Sequence, residues 1–173
     1  MAQSLGSSPK GLMAYSVGGT SINEYWSMIK IPVMVLIGLS VVNFLIGCIA
    51  FFPSMSFAGL RKIVDLVFLV IVLVMGFVSG YIGYSVVKNH RGNLMTAIYA
   101  GAIGGIIDGE VLAVLDIIWS ILAMVLPSAT PSRLILSIVG IALFPIMGAI
   151  IGIIMAVIGG VIAGAKSFGP AKR

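Results

Sequence analysis

Four apolar runs, each long enough to cross a lipid bilayer, constrain this chain more than any other feature. They cover about 31–52, 63–87, 94–126 and 134–165. A helix needs about 20 apolar residues to traverse the hydrocarbon layer. Backbone N–H and C=O groups find no partners in lipid, so runs this long are satisfied only as helices. The expected fold is all-α, a polytopic membrane protein with four transmembrane helices. Composition agrees. Only 9% of residues are charged and 60% are apolar, whereas a soluble domain carries about 25% charge. Fifteen charged residues cannot build a water-facing surface for 173 residues.

The runs divide the chain into a Gly/Ser-rich N-terminal polar and interfacial segment (1–29), a four-helix transmembrane domain (30–166) and a short basic tail (167–173). Residues 1–22 lack a strong period and are expected, taken alone, to be disordered. Residues 1–29 hold no continuous apolar stretch of signal-peptide type, so the first span is expected to act as its own signal. Runs three and four exceed 30 residues each, or about 45–50 Å as straight helix. The breaker-rich stretch Pro127 to Arg133 joins them, which predicts a long antiparallel third–fourth helix hairpin. A rival reading breaks run three at Asp108-Gly109-Glu110. Pro145 is a candidate kink in run four.

The basic residues lie at the ends of the runs. Four spans put Lys10, Lys30, Lys88, Arg91, Lys166, Lys172 and Arg173 on one side, and Arg61, Lys62 and Arg133 on the other. Positive residues favour the inner side, so both termini are expected to be cytoplasmic. Tyr25, Trp26, Tyr81, Tyr84 and Tyr99 fall near span ends on that side, where an aromatic belt belongs. The net charge of +5 forms no dense patch, so nucleic acid is not an expected partner.

Small residues recur at helical spacing. Gly76, Gly80 and Gly83 mark run two; Gly101, Gly104 and Gly105 mark run three; Gly148, Gly152, Gly159 and Gly160 mark run four. Glycines four apart flatten one helix face and let two backbones approach closely. The polar side chains are the other pattern. Asp108, Glu110 and Asp116 lie in or beside run three, with no basic residue within the apolar centre of any run. A carboxylate there must be protonated, hydrated or paired with something outside the chain, so all three are candidates for ion binding or a polar contact. Arg133 is a candidate partner near the outer boundary. Asn43 reads as a polar contact between helices. Arg61 and Asp65, one turn apart, read as an interfacial ion pair.

Catalytic signatures are missing: there is no GxSxG, HExxH, CxxC or phosphate-binding loop. The single histidine, His90, has no ligating partner at metal spacing, and Cys48 stands alone. No enzyme activity, metal or cofactor is expected.

The stretch Gly76-Phe-Val-Ser-Gly80-Tyr-Ile-Gly83, followed by a short basic loop and Gly101-Ala-Ile-Gly104-Gly105, resembles small uncharacterised glycine-rich polytopic membrane proteins of archaea and bacteria. The resemblance covers runs two and three and implies a microbial origin; the expected location is the cell membrane of a prokaryote. The leading expectation is a non-catalytic integral membrane subunit that packs through its glycine faces into a homo-oligomer, or with other membrane subunits, in the lipid bilayer. One alternative is a cation- or proton-translocating transporter or channel that uses the intramembrane carboxylates. Another is a coat or membrane-shaping protein of a lipid-containing assembly.

Overall fold

The computed structural model describes residues 16–17, 20–51, 58–124 and 131–164. The fold is all-α apart from one short strand pair. Strands β1 (Ser16–Val17) and β2 (Thr20–Ser21) pair antiparallel, Ser16 opposite Ser21 and Val17 opposite Thr20. Helices α1 (Ile22–Phe51), α2 (Ala58–Asn89), α3 (Leu94–Met124) and α4 (Pro131–Ile162) follow. The strand pair lies at the end of the N-terminal segment; residues 1–15 and 18–19, on which most of the expected disorder falls, lie outside the described residues.

Helix α1 begins nine residues before the first apolar run, and two local causes account for this. Ser21 caps it: its Oγ accepts a hydrogen bond from the Glu24 N–H at 3.2 Å, satisfying one orphan donor of the first turn. Tyr25, Ile29, Val33 and Leu36 then bury one stripe at three- and four-residue spacing, while Asn23, Glu24, Ser27 and Lys30 face outward. An amphipathic start of this kind is invisible to a search for continuous apolar residues.

The α2–α3 turn is set by side chains and one unusual backbone angle. Arg91 takes the left-handed conformation (φ 54°), and the Gly92 N–H donates to the Val86 carbonyl at 3.0 Å. Asn93 Oδ1 accepts from both the N–H and the hydroxyl of Thr96, at 2.8 and 2.9 Å. That caps α3 and fixes its start.

Helix α3 runs unbroken through Asp108-Gly109-Glu110, so the re-entrant alternative does not hold. Pro145 likewise lies inside continuous α4, and Pro32 inside α1. Helices α3 and α4 form the most extensive pair. α2 packs on α4, and α1 closes the bundle against α2 and α3. The core joins Tyr25, Ile29, Val33 and Leu36 of α1 to Ile82 and Val86 of α2 and Ala97 and Ala100 of α3.

The outside is the reverse of a soluble protein. Ile141, Leu143, Ile146, Ile150, Ile154 and Ile158 of α4 are exposed, while Gly152, Ala156 and Gly159 of the same helix are buried. Contiguous exposed aliphatic surface on this scale is what lipid covers. Among the described residues, three segments, Ile22–Cys48, Lys62–Asn89 and Ser137–Ile162, are long and apolar enough to cross a membrane. They give the chain the make-up of an integral membrane protein.

Candidate functional site: a pocket between the helices

The buried stripe of α1 changes character halfway along. After Tyr25, Ile29, Val33 and Leu36 comes Ser40, fully buried, and three residues later Asn43. The change of residue type on one face turns an apolar contact surface into a polar one. Ser40 Oγ donates a 2.8 Å hydrogen bond to Asp108 Oδ1 on α3. No other hydrogen bond or ion pair reaches Asp108 among the described residues. Asn43 Oδ1 is buried and lacks a hydrogen-bond partner among the described residues.

Beside this contact lies a pocket of about 370 Å³. Ser40, Asn43 and Phe44 of α1 line it, with Phe68 of α2 and Asp116 and Trp119 of α3. Phe144 of α4 forms part of the wall. Phe44 and Trp119 meet edge to face, centroids 6.4 Å apart at 90°, a favoured aromatic geometry. Asp116 follows Asp108 by two turns, about 12 Å along the axis. Ser40 links the two, since it bonds Asp108 and also lines the pocket. Among the described residues, no Lys, Arg or His lines it.

The other acidic residues stand apart. Glu110 is exposed and does not line the pocket, and Asp65 is exposed on α2. The Arg61–Asp65 pair falls outside the described residues, because the Arg61 side chain is not among them; the same holds for Arg133 as a partner of Asp116. Among the described residues, no three His, Cys, Asp or Glu side chains are grouped to hold a metal ion.

The glycines meet one another inside the chain. On α3, a Cβ at Gly101 or Gly105 would overlap the backbone of Gly152 or Gly148 on α4. Gly109 lies against the backbone of Phe144 and Pro145. On α2, Gly83 abuts the Ala156 backbone, and Gly159 abuts Gly80. A Cβ at Gly104 would meet a side-chain end instead, Ile82 Cδ1 at 2.9 Å, and one at Gly160 would meet Leu94 Cδ1 at 3.1 Å. A Cβ at Gly76 would meet only Met155 Cε, at 3.7 Å, an ordinary contact. The closest faces of these rows are therefore occupied by the chain's own helices.

Two features lie beyond the reading of the sequence. Ser120 and Ser137 are both buried and share a short hydrogen bond between α3 and α4. Serines in apolar runs give only a weak signal, and their pairing needs the hairpin register. Tyr25 was expected in an interfacial belt but is fully buried, edge to face with Tyr99 at 6.4 Å. Its place on the α1 stripe explains this. Trp26, the next residue round the helix, is exposed.

No protein family, curated protein or solved structure matches the chain.

Proposed function

We propose that this chain is a four-span integral membrane protein that moves protons or a small cation across the bilayer, with Asp108 as the residue that carries the charge. The observation behind this reading is the Ser40–Asp108 contact. A carboxylate inside an apolar bundle, held by one hydroxyl and lacking a basic partner among the described residues, needs a proton or cation for neutrality. In this reading α3 crosses the membrane as the third span and both termini are cytoplasmic, as the distribution of Lys and Arg favours. The membrane is the cell membrane of a prokaryote. The test is an imposed proton, sodium or potassium gradient in liposomes that hold the purified protein. The parent protein collapses one of these gradients, and Asp108→Asn does so at least about tenfold more slowly. Equal rates for the two proteins, or a parent no faster than empty liposomes, would refute the reading.

A second reading, a non-catalytic subunit of a larger membrane assembly, draws on a different observation. From Lys62 to Val74 almost every residue of α2 is exposed, on all sides of the helix rather than one. A neighbouring chain would cover such a segment. Native mass spectrometry from source membranes decides it: a monomer without partners ends this reading.

A further inference from the structure

The pocket around Asp116 has a chemistry of its own. At about 370 Å³ it falls within the range of small-molecule sites, about 300–1,000 Å³. A proton or a bare metal ion needs no such volume. Four aromatic side chains, Phe44, Phe68, Trp119 and Phe144, contribute to its wall. Their rings offer apolar area and a negative π-face. The polar groups are few and rich in acceptor oxygen: the Asp116 carboxylate, the Ser40 hydroxyl and the Asn43 amide, whose buried Oδ1 is unpartnered.

These features exclude most ligand classes. An anion would meet a carboxylate and, among the described residues, no basic side chain. A sugar or other polyol would leave most of its hydroxyls against aromatic rings, without hydrogen-bond partners. A divalent metal would lack ligands, since no metal-binding group of three forms among the described residues. An apolar neutral molecule would leave the carboxylate uncompensated. What remains is a body with an apolar surface and a positive charge: aromatic faces attract such a cation, and the carboxylate balances it.

We infer that this pocket binds a lipophilic organic cation, with Asp116 as its counter-charge and Phe44, Phe68 and Trp119 against its apolar surface. This goes beyond the reading of the chain as a carrier of protons or a small cation at Asp108: it concerns a second, organic cation at Asp116. Among the described residues, every lining residue lies within a helix. A ligand that dissolves in lipid therefore suits the site.

The probe is tetraphenylphosphonium, compared with tetraphenylborate, which has nearly the same shape and the opposite charge. Binding to the full-length protein in lipid nanodiscs is measured by calorimetry, with empty nanodiscs subtracted. The phosphonium should saturate at one site per chain, and the borate should show no saturable binding. Asp116→Asn, which keeps the side-chain size, should weaken phosphonium binding about tenfold, and Trp119→Leu about threefold or more. A thermal melt of each variant shows whether it is folded. Equal binding of both ions, no saturable binding of the phosphonium, or an unchanged affinity in a folded Asp116→Asn would overturn the inference. Gradient collapse by the parent protein is recorded separately. If the gradient collapses but the phosphonium does not bind, the pocket assignment falls alone. If the phosphonium binds but no gradient collapses, translocation falls alone.

Discussion

The two halves of α2 share a helix and differ in almost everything else. From Met75 to Val87 the helix carries Gly76, Gly80 and Gly83, and it packs on α4 closely enough that Gly83 touches the Ala156 backbone. From Lys62 to Val74 it carries no glycine; of its large residues only Ile71 is buried, while Leu66, Phe68, Leu69 and Leu73 are exposed. Small residues set where two helices can touch, and bulky ones hold them apart. The pocket lies beside the bulky half, with Phe68 in its wall. Where backbones are in contact there is no room for a ligand. Where they separate, room exists, and the polar residues of α1 and α3 lie there.

That contrast can be broken by substitution, with unfolding followed in mixed micelles. The largest effect is expected at Gly83→Ala. The added Cβ meets backbone rather than a flexible side chain, so stability should drop by about 2–3 kcal/mol. Ser40→Ala comes next, at about 1–2 kcal/mol, because it leaves the half-buried Asp108 carboxyl without its hydroxyl donor. Gly76→Ala should go the other way. The added Cβ would lie 3.7 Å from its neighbour, so the variant should gain up to about 1 kcal/mol from helix propensity. Opposite signs at Gly76 and Gly83 would sharpen the comparison, and equal losses would break it. The smallest effect belongs to the open half: Leu69→Ala should change stability by less than about 0.5 kcal/mol. A loss near that of Gly83→Ala would mean that this half is packed after all.

The sequence made some of this legible and hid the rest for identifiable reasons. Long apolar runs announce helices because lipid leaves the backbone no other choice. The helix ends near Val87 and Leu94 were readable within about two residues, since Gly92 and Asn93 punctuate the turn. The early start of α1 was hidden in an amphipathic stretch, although Ser21-Ile-Asn-Glu24 carries the spacing of a capping box. Asn43 and Asp108 stood out as polar residues in apolar runs. Their placement at one polar site depends on the register of α1 against α3, which no local pattern encodes. The aromatic wall was the least readable part. Phe44, Phe68 and Trp119 sit on three helices, and Trp119 alone looks like a membrane-boundary residue.

The account depends most on α3, with its three acidic residues, crossing the bilayer. The direct measurement is labelling by a membrane-impermeant thiol reagent in sealed vesicles of known orientation. Single cysteines replace His90 and Ser128, in a chain whose own Cys48 is changed to Ala. The account expects the two positions to label from opposite sides, which places Asp108 and Asp116 within the membrane thickness. Labelling of both from the same side would contradict it, because α3 would then not cross the bilayer.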